Sequence, residues 1–226
     1  MSTLQRMPGQ GQHGKHDWLI PVGLLAISAI PLLAGAIRVV QLAAGTAITP
    51  DNARFAAAPI PVVLHILSAL VFCVLGAFQF LPSLRSRKPH WHRIAGRLVV
   101  ACGLMAAFSG LWMTQFYPVG VESPAKFDGP ALYLIRLLAG SAMALFICLG
   151  VAAILRRDIP HHRAWMMRGY AVGLGAGTQA FTHLPWFMFP SIQGELARTL
   201  CMAAGWAINL AVAEWIIARE RAGRVA

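Results

Sequence analysis

The sequence predicts an all-α fold, a polytopic membrane bundle of six transmembrane helices in which spans two to five form two repeated hairpins. Composition is the first reason. Of 226 residues, 58% are hydrophobic and only 12% are charged, and mean hydropathy is +0.62. Length is the second, because apolar runs of about 20 residues recur, enough to cross roughly 30 Å of hydrocarbon. An internal repeat is the third. LRSRKPHWHRIAGR, residues 84–97, returns in thinner form as LRRDIPHHRAWMMR, residues 155–168. Leu84, Arg85, Pro89 and His90 match Leu155, Arg156, Pro160 and His161 at one shared offset, and His92-Arg93 matches His162-Arg163 one residue short of it.

Each element follows from where hydropathy rises and where charge interrupts it. Residues 1–17 are polar, with Gly and Gln, and read as a cytoplasmic N-terminal tail. Residues 18–218 form the transmembrane domain, with span one over 18–40, too long for a signal-peptide core. Spans two and three cover 61–84 and 94–116 around the first basic connector. Span four covers 131–155, span five 164–184 after the second connector, and span six 199–218. Residues 219–226 are a basic C-terminal tail. Lys and Arg gather at one set of span ends, notably Arg85, Arg87, Lys88, Arg93, Arg156, Arg157, Arg163, Arg219 and Arg221. By the positive-inside rule these ends are cytosolic, which places both termini in the cytoplasm of a bacterial inner membrane.

Charge and cysteine usage exclude several function classes. The net charge of +11 sits in connectors that the positive-inside rule already explains, and no basic amphipathic helix or aromatic platform indicates nucleic acid as a partner. Membrane lipid is the expected surrounding partner. Cys73, Cys102, Cys148 and Cys201 all fall in apolar runs without a CxxC spacing, so they read as small apolar filler and not as a metal site. No GxSxG, HExxH or P-loop is present. Whether the chain is an enzyme is left open.

The motifs LRxRxPxxHRxxGR after span two, HRxWMxRxY opening span five and NLxVAEW in span six resemble those of the bacterial predicted membrane proteins grouped as domain of unknown function 2306. The matching positions include Pro82, Arg85, Pro89, His92, Arg93, Gly96, Arg97, His162, Arg163, Trp165, Arg168, Tyr170, Asn209, Glu214 and Trp215. That resemblance implies a membrane-embedded helical fold from about His65 to Trp215 and brings no activity with it.

Function therefore rests on polar residues inside the spans, since ionisable groups in a bilayer are costly unless paired. Histidines fall at two levels. His65 and His183 lie near the outer boundary, and His92, His161 and His162 lie near the inner one. Bis-histidine ligation between helices would hold haem b, with His65 and His183 as one axial pair and His92 with His161 or His162 as the other. Such a core is similar in outline to the cytochrome b561 class, and it would make the chain an electron carrier with a redox partner, its only metal the haem iron. A second set, Arg97, Arg168 and Glu214, lies about one turn inside the inner boundary. Arginine binds carboxylate bidentately, so Glu214 is expected within reach of Arg97 or Arg168, with Asn209 extending the network. Arg136 occupies in span four the place of His65 in span two, and is expected to snorkel or to pair with Asp128 or Glu122. This set motivates the alternative, a small transporter or ion-coupled permease. A membrane scaffold or assembly protein is the third reading.

Overall fold

In the computed structural model, residues 17–50, 52–119 and 125–225 are described, and among them every regular element is helical. The long helices are α1 (Leu19–Ala43), α3 (Pro59–Gln79), α5 (Pro89–Phe116), α6 (Pro130–Leu155) and α10 (Glu195–Val225). Shorter ones are α2 (Ala53–Ala57), α4 (Pro82–Arg87), α7 (Ile159–Gly173), α8 (Gly175–Thr182) and α9 (Leu184–Met188). Five helices are long and apolar enough to cross a membrane: α1, α3, α5, α6 and α10. Proline opens α3, α5 and α6 at their first position, where its missing N–H costs nothing.

The stretch expected as span five is two helices. Helix α7 ends at Gly173, and α8 begins at Gly175, with Leu174 between them. A continuous helix would bond the N–H of Gly175 to the carbonyl of Ala171. That carbonyl instead accepts from Asn209 Nδ2 at 3.1 Å, and Asn209 Oδ1 accepts from the Thr178 hydroxyl at 2.7 Å. Asn209 thus spans the interruption from α10. The glycines also divide here. A Cβ on Gly173 would meet Phe72 at 2.5 Å, whereas one on Gly177 would meet the Ile27 carbonyl at 2.4 Å on α1, so these glycines open toward different helices.

The two basic connectors lie at the same end of the bundle. Phe80, beside the first, meets the Tyr170 ring at a tilt with centroids 5.0 Å apart and packs against the cluster that holds Ala164 and Met167, just past the second. The connectors differ in build. The first carries helix α4, while the second reverses in three residues through Arg157, which takes the left-handed conformation at φ +61°. The Arg157 N–H bonds to Ile154 O at 3.0 Å and the Asp158 N–H to Ala153 O at 2.9 Å, the double closure of a Schellman turn. Asp158 then caps α7 by accepting from the His161 N–H at 3.1 Å. Residues beyond 218, expected as a tail, continue α10, and Glu220 there pairs with Arg163 at 2.5 Å.

The core lies between α3, α5, α6 and α7. Phe72, 1% exposed, inserts between Gly103 and Gly173, where any Cβ would collide with its ring. Tyr170 lies over Gly76, stacks on Phe72 at 5.4 Å and donates its hydroxyl to the Cys73 carbonyl at 2.8 Å. Small residues allow this close approach, and interlocking shape holds the helices where lipid offers no hydrophobic drive. Outward, α1 and α10 show rows of exposed apolar side chains, among them Ile30, Leu33, Ile37, Leu200, Ile208 and Val212. Those rows form a surface suited to acyl chains.

Candidate functional site: a cavity at the end away from the connectors

A cavity of about 400 Å³ opens between α3, α5, α6 and the α7–α8 break. Its lining changes in character along the helices. Toward the far end it meets Arg54, Tyr117, Asp128, Tyr133 and Arg136, and deeper it meets Phe72, Met143, Val172 and Gly173. Met143 is seven residues beyond Arg136 on α6, and Phe72 seven beyond His65 on α3, so the polar rim stands about 10 Å above the apolar floor. A smaller cavity of about 120 Å³ lies between α1 and α3. His65, Ala69, Cys73, Gly173 and Ala176 line both and form the partition.

His65 is held from α5. Its Nδ1 lies 2.9 Å from the Ala106 carbonyl and 3.2 Å from Ser109 Oγ. The Ser109 hydroxyl is itself committed to the Met105 carbonyl at 2.6 Å. A carbonyl can only accept, so Nδ1 carries the proton and donates to Ala106, which leaves Nε2 as the lone-pair nitrogen. Seated on the wall of both cavities, this imidazole can accept a hydrogen bond at Nε2.

The rim is a charge network. Asp128 accepts from Arg136 Nη1 at 2.7 Å and from Arg198 Nε at 3.1 Å, with its own side chain only 9% exposed. Arg198 Nη1 also lies 3.0 Å from His183 Nε2. Opposite, Arg54 reaches the Pro118 carbonyl at 3.4 Å, and Arg54 and Arg38 stack on Phe55 at 4.8 and 5.0 Å. Tyr117 donates to the Ala58 carbonyl at 2.5 Å, and burial pushes its phenol above the usual range. Arg136 therefore takes the Asp128 partner expected of it, while Glu122 lies outside the described residues. Arg38, Arg198, Thr178 and Ser109 carry parts of this arrangement and were not singled out from sequence. The signal for Arg198 and Asp128 was their shared placement at span ends away from the connectors.

The described geometry gives the haem expectation no support. His183 is buried, its Nδ1 donates to the Gln179 carbonyl at 2.7 Å, and its Nε2 accepts from Arg198. Both ring nitrogens are used, and His183 does not line the cavity that His65 faces. At the connector end, His161 Nδ1 pairs with Asp158 at 2.8 Å and His162 Nδ1 with the Gly150 carbonyl at 2.8 Å. His92 lies near enough to His162 and Arg85 to feel their charge, but no inner histidine lines either cavity described. His65 and His183 therefore do not face one another across the larger cavity. Among the described residues no group of three His, Cys, Asp or Glu could hold a metal ion either.

The second polar set is partly assembled. Arg168 grips Glu214 through Nε–Oε1 at 2.5 Å and Nη2–Oε2 at 2.8 Å, and stacks on Trp165 at 4.5 Å. Arg97 is exposed and forms no ion pair among the described residues, so it is not part of the Arg168–Glu214 contact. Asn209 belongs to the helix break and not to this pair. The Arg168–Glu214 clamp, with Arg163–Glu220 beyond it, ties α7 to α10.

No curated protein and no solved structure matches the chain. The family model that matches is that of a predicted membrane protein, domain of unknown function 2306, over residues 62–217. That range begins just before His65, includes both basic connectors and ends after Glu214, so it takes in the Arg168–Glu214 clamp and the cavity lining apart from Arg54 and Phe55. The chain belongs to this DUF2306 family of predicted membrane proteins.

Proposed function

We propose that the chain is a six-span, inner-membrane binding protein or permease, which admits a small ligand from the non-cytosolic side into the cavity at the helix break. The α7–α8 pair serves as the fifth of the six crossings, its 15 and 8 residues giving about 36 Å of path when Leu174 is included. Under this reading the connectors and both termini are cytosolic, and the two connector hairpins are related units of one bundle. The observation that carries the reading is the cavity itself, set at an interrupted helix. Interrupted spans beside a mid-bundle cavity are where transporters bind substrate, because irregular backbone is tolerated only where it lines such a space. A rim of few polar groups above an apolar floor is the usual chemistry of a small-molecule site.

The test is accessibility. Thr114 lines the cavity on α5. In a variant with the four native cysteines replaced by alanine, Thr114→Cys is expected to react with a membrane-impermeant maleimide added from the non-cytosolic side. Enlarging Ala139, on the opposite wall, to Trp is expected to slow that reaction about tenfold or more by filling the space. Labelling only from the cytosolic side, or none at all, would overturn the proposal.

A further inference from the structure

We infer that the paired arginines of α5, Arg93 and Arg97, form a binding site for the headgroup of an anionic phospholipid in the leaflet at the connector end. The inference stands apart from the cavity and needs only that α5 crosses the membrane. The internal repeat is the first ground. On α7 the second copy of the motif presents Arg163 and Arg168, and α10 answers both, with Glu220 on Arg163 and Glu214 on Arg168. On α5 the first copy presents Arg93 and Arg97, both exposed and with no carboxylate against either among the described residues. Arg93 donates Nε to the Pro89 carbonyl at 3.4 Å, which leaves its Nη donors for an anion. The side-chain acids of this end are accounted for. Asp158 is engaged by His161, Glu214 and Glu220 are held by α7, and Asp17 joins no ion pair among the described residues. The two acids outside the described residues, Asp51 and Glu122, follow in sequence the C-terminal ends of α1 and α5, which lie away from the connectors.

The face they stand on is the second ground. Arg93 and Arg97 are one turn apart, in a row that continues along α5 as Ile94, Leu98, Met105, Phe108 and Trp112, all exposed. An arginine in a lipid-facing row needs a counter-charge or must snorkel to one. Cα–Cβ bonds tilt toward a helix N-terminus, here the connector end, so both side chains lean back to the level of lipid phosphates. Phosphate accepts the guanidinium fork bidentately. Two such cations without an acid favour a net-negative headgroup over a zwitterionic one, whose own ammonium would come beside them. A carboxylate-bearing helix of another protein is the competing answer, as α10 is for α7. That seam is built on Ala164, Ala171 and Ala213, small enough for two helices to close. On α5, Ile94 follows Arg93 where Ala164 follows Arg163, and bulky side chains fill the rest of the row. Such a surface suits mobile acyl chains and not a close-packed helix.

The test is native mass spectrometry of the delipidated full chain, titrated with dioleoyl phosphatidylglycerol or dioleoyl phosphatidylcholine. Wild type is expected to take one phosphatidylglycerol about tenfold more tightly than phosphatidylcholine. Arg93→Gln with Arg97→Gln is expected to abolish that preference, and Arg93→Lys with Arg97→Lys to retain part of it. A control removes the same charge elsewhere: Arg87→Gln with Arg156→Gln, at exposed connector positions, should keep the preference. Neither α5 arginine is tied to another helix among the described contacts, so the glutamine variant should melt like wild type in detergent without lipid. It should lose the rise in melting temperature that phosphatidylglycerol gives wild type. Equal binding of the two lipids by wild type, or an equal loss of preference in the control, would overturn the site. A lower melting temperature of the glutamine variant without lipid would make the arginines part of the fold instead, and would overturn it as well. So would inorganic phosphate binding as tightly as the lipid, or a dimer that dissociates in the glutamine variant, which would put a second copy of the chain on this face.

Discussion

At the scale of single residues, the Arg168–Glu214 clamp and the Asp158 cap are the two charged arrangements at the connector half with a definite energetic reading. Arg168 is 15% exposed in its side chain and Glu214 51%, so the pair is unevenly buried. Bidentate geometry strengthens it, but the open carboxylate side admits screening, and the net coupling should be about 1 kcal/mol and not the several expected of a buried pair. A double-mutant cycle of Arg168→Gln and Glu214→Gln, read by thermal unfolding in detergent, should return coupling of that size. Coupling near zero would show that the geometry contributes nothing. Asp158 behaves differently because it is solvent-exposed and titratable. The His161 backbone N–H holds its carboxyl below the ordinary carboxylate range, opposed by desolvation and helped to a smaller degree by the His161 ring. A folded-state pKa below the unfolded one means that the cap stabilises fully above the unfolded value. The contribution is lost as pH falls through the folded one. Melting temperature of the wild type should therefore drop more steeply than that of Asp158→Asn below about pH 4, since asparagine still caps but carries no charge to lose.

At the scale of elements, the interruption in the fifth crossing decides where the cavity can form. Asn209 satisfies the Ala171 carbonyl that the break releases, and the Thr178 hydroxyl satisfies Asn209 in turn. Replacing Asn209 by Leu strips both, leaving a backbone acceptor without a partner in an apolar setting, which should cost about 1–3 kcal/mol. Thr178→Val should cost less, because the amide can still reach Ala171. Equal, negligible effects from both would mean that the break needs no support from α10. This element also shows what the sequence could and could not disclose. Spans one to four and six were legible because hydropathy alone defines a lipid-facing helix, and nothing about packing is needed to find one. The break carried no proline and kept its apolar character, so Gly173 and Gly175 gave the only local sign, and glycine is common in membrane helices for packing alone. The Arg168–Glu214 contact was readable from depth and charge. Arg97, at the same depth, was not separable from it, because depth does not tell which way around the helix a side chain points. A shared level likewise says nothing about the Arg198 and Gln179 partners that occupy His183, so the sequence could not show which way its ring is turned.

At the scale of the whole molecule, the arrangement has two unlike ends. Basic connectors, the α7–α10 clamp and the extended end of α10 gather at one, and the charged rim and cavity mouth at the other. Asymmetry of this kind orients a chain during insertion, because Lys and Arg are retained on the cytosolic side far more readily than they are translocated. The connector end carries Arg85, Arg87, Lys88, Arg93, Arg156 and Arg157 in exposed positions. The far end holds Arg136 and Arg198 on Asp128 and stacks Arg38 and Arg54 on Phe55, so its positive charges are placed by contacts within the fold. Single cysteines introduced at Ser86 and at Arg156 should thus be labelled by an impermeant maleimide only in inverted vesicles, and cysteines at Asn52 and Ile192 only in right-side-out ones. A purified sample from haem-replete cells should show no Soret band, since His183 has both ring nitrogens engaged and does not line the cavity that His65 faces. Opposite labelling of the two connectors would break the topology and with it the assignment of the cavity to the non-cytosolic side. A Soret band lost in His65→Ala would require the fifth crossing to rearrange so that His183 releases Arg198, and would make the rim network a competitor of the cofactor and not part of a ligand site.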